Sequence, residues 1–162
     1  MTVTAVPTIP EIKTHFNVTK LPSKALFWSS CGTATGTGVS WQVLSNAYAK
    51  TAERVTLDMM WKDKWYKQYI NPKTHTDAEI RAFWDRASEA MATISSGVPY
   101  ILLPPTGGPT VWSKCSTWDK VEYPTLIKKT NVDKICRVNY DAKTNQYSNP
   151  FAVWPIVDKY KC

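Results

Sequence analysis

A single α+β domain is the fold class this sequence predicts, and three observations predict it. The chain has 162 residues, 43% of them hydrophobic, enough for one buried core. Helical periodicity dominates the first part, while short apolar or alternating runs dominate the second. No Gly/Ser- or Pro-rich linker divides the two. The helical N-terminal part is therefore expected to pack with a small sheet in the C-terminal half. No run approaches the roughly 20 apolar residues a bilayer demands, so no membrane span is expected. Six Gly and eleven Pro without a repeat period exclude a collagenous or low-complexity chain.

Residues 1–24 read as an extended N-terminal arm, because Pro7, Pro10 and Pro22 block long helices; residues 25–162 form the domain. The stretch from Gly32 to Gly38 is a loop. It lacks the Lys of a phosphate-binding P-loop and has no GxGxxG spacing. Ser40 caps a helix that carries Trp41, Leu44, Tyr48, Ala52, Val55 and Met59 on one face. A second helix is the clearest element. Thr76 and Glu79 make a capping box, and Ile80, Phe83, Trp84, Ala87, Met91 and Ile94 follow at helical spacing. Gly97 is placed to close this helix in a left-handed cap. Residues 98–103 read as a buried strand ended by the Pro- and Gly-rich loop 104–109. Residues 134–140 alternate as a strand, with Arg137 on one side or the other. Residues 151–157 read as another, put at an edge by Pro155.

Twenty Lys and Arg against thirteen Asp and Glu give a net charge of +7, which attracts an anionic partner. The lysines are dispersed and form no basic stripe, so nucleic acid is not the expected partner. The cysteines are Cys31, Cys115, Cys136 and Cys162. None forms CxxC, and His15 and His75 are the only histidines, so no metal site is expected. An even count fits two disulfides made outside the cytosol, with three pairings open. Asn17-Val18-Thr19 is a glycosylation sequon. Residues 1–4 lack a basic start and an apolar run, which suits a mature form of a secreted protein.

Eight Trp bring large flat surfaces that pack cores and also stack on planar ligands. Neither histidine lies beside an evident nucleophile, which disfavours Ser-His, Cys-His and two-histidine chemistry; both read as exposed loop residues. O-glycoside hydrolysis needs two cooperating carboxylates, and the acids look scattered. A ribose bonded to a pyridinium nitrogen demands less, since the pyridine departs neutral without being protonated. Such a site needs aromatic rings for the flat cation, one carboxylate for the cationic sugar, and donors for a diphosphate.

Three motifs occur in order: Leu26-Phe27-Trp28-Ser29-Ser30, Phe83-Trp84-Asp85-Arg86-Ala87-Ser88, and Ser116-Thr117-Trp118-Asp119-Lys120-Val121-Glu122. Together they resemble the active-site segments of the ADP-ribosyl cyclase/CD38 family, over residues 26 to about 140. The resemblance implies a mainly parallel sheet. It implies that Trp28 and Trp84 sandwich the nicotinamide ribosyl end, that Glu122 holds the ribose diol and steadies the cation, and that Ser88 lies near the reacting carbon. Ser29, Thr117 and Trp118 fall at positions that contact phosphates and ribose. Ser30 stands where the family has a phosphate-binding Arg, so Arg86 or a lysine is expected to substitute. The family's acidic segment has no clean match, leaving Glu53 and Asp58 as candidates. Trp41, Trp61, Trp65, Trp112 and Trp154 read as core or cleft wall.

The resemblance thus implies a secreted NAD glycohydrolase that releases nicotinamide and ADP-ribose, with ADP-ribosyl cyclase activity as a further outcome. NAD or NADP is its substrate, and no separate cofactor is implied. Depletion of a host's NAD would make such a protein a toxin or effector. The alternative is a non-enzymatic secreted, disulfide-stapled binding protein that uses exposed Trp to bind sugars or a host surface.

Overall fold

A computed structural model describes residues 5–21, 23–155 and 162 of the chain. The expectations for residues 1–4, Pro22 and 156–157 lie outside these described residues. The helices are α1 (Ile9–Thr14), α2 (Trp41–Thr51), α3 (Leu57–Met60), α4 (Asp77–Ile94) and α5 (Tyr123–Ile127). The strands are β1 (Leu26–Trp28), β2 (Tyr100–Leu103), β3 (Ile135–Asp141), β4 (Gln146–Tyr147) and β5 (Phe151–Trp154). The domain is α+β, and its sheet is mostly parallel. β1, β2 and β3 run parallel in that order, while β4 and β5 both pair antiparallel with β3. Phe27 lies opposite Ile101, which lies opposite Arg137, and Trp28, Leu102 and Val138 form the next rung.

Alternation along the parallel strands sends side chains to two covered faces, which is why these strands read as nearly continuous apolar runs. Leu26, Leu102, Val138 and Tyr140 pack on Trp41, Leu44 and Ala49 of α2. Phe27, Ile101, Leu103 and Ile135 pack with Phe83, Ala87, Ala90 and Met91 of α4. α4 forms as its sequence dictates. Thr76 accepts a hydrogen bond from the Glu79 amide, and the Glu79 side chain accepts one from the Thr76 amide, so both halves of the capping box are present.

Four local expectations are corrected. Within the supposed extended arm, Ile9–Thr14 is helical, with Pro at its first turn and Thr8 as N-cap. Pro is tolerated there because that amide needs no helical partner, and Ile12 and Phe16 anchor the segment in the core. The helix expected from Ser40 to Met59 stops at Thr51. Glu53 takes a left-handed φ of 55°, and Val55 pairs with the chain entering β1 instead, through Val55 N–H to Lys24 O and Leu26 N–H to Val55 O, both 2.8 Å. Gly97 does have a positive φ of 66°, yet it does not cap α4; Ser95 does, in extended conformation. A Cβ on Gly97 would meet Ser23 Cβ at 2.8 Å, so close approach is what requires glycine. His15 is not an exposed loop residue: its ring stacks on Trp65 at 4.0 Å and bonds to Asp63 at 2.8 Å.

Arg137 is fully buried on the α4 side of the sheet. It faces no carboxylate in its hydrogen-bond set. Its guanidinium donates to the carbonyls of Pro104, Gly108, Pro109 and Val111 and to the Thr106 hydroxyl, at 2.8 to 3.1 Å. Its Nε donates instead to Asn139 Oδ1 within β3, at 2.7 Å, so the two terminal nitrogens of the planar fork organise the loop that follows β2. Among the described residues no helix is long and apolar enough to cross a membrane. Cys136 and Cys162 form a disulfide.

Candidate active site

A cavity of about 560 Å³ opens at the carboxyl end of β1, between α4 and the segment ending in Glu122. Open sheets with parallel strands leave a crevice at strand carboxyl ends, and this volume is in the range of small-molecule sites. Trp28 closes β1, and the chain then turns away: the Ser29 amide still donates to Leu102 O at 3.1 Å. Trp28, Ser29 and Ser30 consequently border the cavity. α4 contributes Asp77, Arg81, Trp84, Asp85 and Ser88 to it, residues spaced by three or four and hence on one helical face. Trp84 is held from behind by Trp61, Tyr66 and Phe83, with ring centroids 6.5, 6.0 and 5.4 Å away.

The third wall comes from a π-helical turn, Trp118–Glu122, closed by the Tyr123 amide bonding to Trp118 O. Such turns recur at functional sites because they redirect side chains without ending the helix. Thr117, at its start, donates its hydroxyl to Asp85 Oδ1 at 2.6 Å, linking this wall to α4. Glu122, at its end, is 6% exposed, and its Oε2 has no hydrogen-bond partner. Burial pushes its pKa up from 4.5 to about 8; a hydrogen bond from Ser88 draws it down, and the negative charge of Asp85 adds to the rise. Ser88 itself is buried. Glu122 thus holds its proton at pH 7.

Trp28, Trp84, Ser88, Glu122, Ser29, Ser30 and Thr117, from three distant segments, all line this one cavity. Trp118 and Arg86 do not. Trp118 is fully buried among Phe27, Trp112 and Tyr123, its rings packed in the core and its indole N–H without a hydrogen-bond partner. Arg86 lies off the cavity face and approaches Glu89 at 3.7 Å. Of the two acids weighed for the missing segment, Asp58 borders the cavity and accepts a hydrogen bond from Asn46 at 2.9 Å. Glu53 does not border it; it is exposed in its left-handed turn. Trp41, Trp61, Trp65, Trp112 and Trp154 support the core and contribute no cavity wall.

Sequence reasoning passed over Asp77, Arg81 and Asp85. Their signal was present: Arg81 lies three residues and Asp77 two turns before Trp84, and Asp85 lies four after Arg81 and three before Ser88, all on the same side of the helix. With Asp58 and Glu122 they turn acids that look scattered along the chain into one carboxyl-rich wall. Arg81 is the only Lys or Arg among the described residues that line the cavity. Among the described residues no group of three or more His, Cys, Asp and Glu could hold a metal ion.

No protein-family model matches the chain, and no curated protein matches it in sequence. Solved structures do match. The chain resembles ADP-ribosyl cyclases. It is similar to the crystal structure of Aplysia cyclase complexed with substrate NGD and product cGDPR, at 20% identity and a TM-score of 0.49 over 75% of this chain and 51% of that one. It is also similar to ADP-ribosyl cyclase complexed with N1-cIDPR, at 20% identity and a TM-score of 0.46, over 72% and 49% of the two chains. The chain spans about half the length of these cyclases.

Proposed function

We propose that the cavity is the active site of a secreted NAD glycohydrolase. One observation carries the reading: two tryptophans, a serine and a buried glutamate with an orphaned oxygen, brought from three separate segments, border a single cavity. Trp28 and Trp84 stack on the nicotinamide ring, whose positive charge attracts their π faces. The bond between ribose C1′ and the pyridinium nitrogen breaks with its electron pair going to nicotinamide, which leaves neutral. Positive charge then develops on the ribosyl centre, where the Glu122 carboxylate stabilises it and holds the ribose hydroxyls. Water adds at C1′ and loses a proton to give ADP-ribose; attack by the substrate's own adenine gives the cyclic product. The four protein groups thus do without metal or imidazole.

The arriving pyridinium favours ionisation of Glu122, so the cationic substrate generates the carboxylate it needs. Arg81 takes the diphosphate role expected of Arg86, with the Ser29 and Ser30 hydroxyls as further donors, while Thr117 keeps its proton on Asp85. NAD and NADP share every group this account uses. The Cys136–Cys162 disulfide supports export from the cytosol, and exhaustion of a target cell's NAD supports a toxin or effector role.

A second reading draws on the same pair of carboxyl groups. A neutral Glu122 beside Asp85 has the form of a general acid with an ionised partner, the arrangement that O-glycoside cleavage uses. The sign of the pH dependence separates the two. Nicotinamide release from NAD by the purified protein is followed from pH 5 to 9. As a carboxylate stabiliser, Glu122 gives a kcat/KM that climbs about tenfold per pH unit and levels near pH 8. A rate that is level up to about pH 8 and falls above it assigns Glu122 as an acid, and no release at any pH overturns the NAD reading.

A further inference from the structure

We propose that Cys31 and Cys115 form a second disulfide, which ties the Ser29–Ser30 side of the cavity to the Ser116–Thr117 side. Four cysteines permit three pairings. The Cys136–Cys162 bond is compatible with only one of them, and its complement is Cys31 with Cys115. Both are free thiols in this structure, Cys31 half-buried and Cys115 exposed.

Their surroundings place them within reach of each other. The Cys31 sulfur accepts a hydrogen bond from the Ser113 amide at 3.4 Å, a contact across 82 residues of chain. Cys115 lies two residues beyond Ser113 in a turn closed by the Ser116 amide on Ser113 O at 3.2 Å. Two extended residues span at most about 7 Å, and a turn shortens that. The backbone at Cys31 points the same way. The Thr33 amide bonds to Ser30 O at 2.8 Å, and the two central residues, Cys31 and Gly32, have φ of 48° and 76°. That is a type I′ turn, whose first central position favours Asn, Asp or Gly. A β-carbon there is strained, and the side chain that occupies it aims its sulfur at the Ser113 loop. A thiol kept at this position has a use that a turn alone does not explain.

Bond formation is an ordinary exchange. The exposed Cys115 thiolate attacks a small-molecule disulfide such as glutathione disulfide and releases one thiolate. Cys31, as thiolate, then attacks the Cys115 sulfur and expels the second. Two protons and two electrons leave the protein, and the oxidant is reduced to two thiols. The crosslink would fix the mouth of the cavity, because Cys31 follows Ser30 directly and Cys115 precedes Ser116.

The test needs no enzymatic activity. The full chain is folded in a glutathione redox buffer, unfolded without reductant, alkylated, digested and mapped by mass spectrometry. The expected result is loss of alkylation at all four cysteines and a linked peptide pair joining Cys31 to Cys115. The Cys115→Ser variant should restore labelling at Cys31 alone. Labelling of both Cys31 and Cys115 in the oxidised wild type overturns the proposal, as does any peptide linking either to Cys136 or Cys162. Because the wild-type map decides the pairing, the outcome stands even where the variant fails to fold.

Discussion

Replacing Glu122 by Gln should raise the protein's stability only slightly at pH 5 and strongly at pH 9. The reasoning follows from linkage. In the folded chain Glu122 titrates at about 8 against 4.5 for the free side chain, so the folded state holds its proton where the unfolded state has lost it. The stability this provides is fully present below pH 4.5 and is lost as the pH rises to about 8. At about 1.4 kcal/mol per pH unit, the loss is roughly 5 kcal/mol, comparable with the lower end of whole-domain stabilities. Gln has the shape of the neutral acid and no ionisation, so the variant escapes that loss. Titration of every other group cancels in the difference between the two proteins. Guanidinium unfolding of both proteins at pH 5, 7 and 9 should show the gap opening from about 1 to about 3 and then about 5 kcal/mol. A gap that stays constant across this range would refute the raised pKa. The same variant should release no nicotinamide at any pH, so one substitution is expected to stabilise the fold and abolish the chemistry.

Other substitutions test the remaining walls. Arg81→Ala should raise KM for NAD about 10- to 100-fold, the worth of a charge-assisted contact, while leaving kcat/KM for nicotinamide riboside, which lacks the diphosphate, unchanged; equal losses on both substrates would remove Arg81 from that role. Arg86→Ala should alter neither. Trp84→Ala should cost about 10-fold or more in kcat/KM, measured as nicotinamide release, with partial recovery in Trp84→Phe. Arg137→Met should destabilise the fold by at least about 3 kcal/mol in chemical unfolding, because it removes at once the hydrogen bonds that a buried guanidinium gives to the loop after β2.

How much of this was legible depends on what kind of signal each feature leaves. α4 was readable from its capping box through its apolar stripe, because both derive from local spacing; its C-terminal end was not, since Ser95 rather than Gly97 closes it. The strands at 100–103 and 135–141 were readable for the same reason. The break after Thr51 was not. Ala52 and Val55 continue the helical stripe, and only pairing with the entry to β1, a partner thirty residues upstream, overrides it. The helix at Ile9–Thr14 was hidden behind prolines that turn out to start it. Within the site, Trp84 and Ser88 were linked by their spacing, whereas the meeting of Asp58, Asp85 and Glu122 depends on tertiary placement that no period encodes. Trp118 shows the opposite error: it sits beside Thr117 in the motif, but the π-turn sends it into the core while Thr117 and Glu122 face the cavity.

The charge distribution adds a constraint on how a ligand enters. The chain as a whole carries +7, which draws in an anion over distances up to a Debye length of about 8–10 Å. The cavity wall is the reverse: among the described residues Asp58, Asp77 and Asp85 stand against a single Arg81, and Glu122 adds a further negative charge once a cation draws off its proton. A simple anion attracted to the surface is therefore repelled at the wall, and a simple cation is repelled before it arrives. A molecule that is anionic overall yet cationic at one end satisfies both fields, with its positive end directed at the carboxyl groups. Oxidised NAD has that character, and its reduced form, which lacks the pyridinium charge, does not. The reduced dinucleotide should accordingly bind at least about tenfold more weakly, since losing one charge interaction in a partly buried site is worth on the order of 1–2 kcal/mol. Displacement of a fluorescent NAD analogue would measure this, and equal displacement by both forms would show that the acidic wall does not select its ligand.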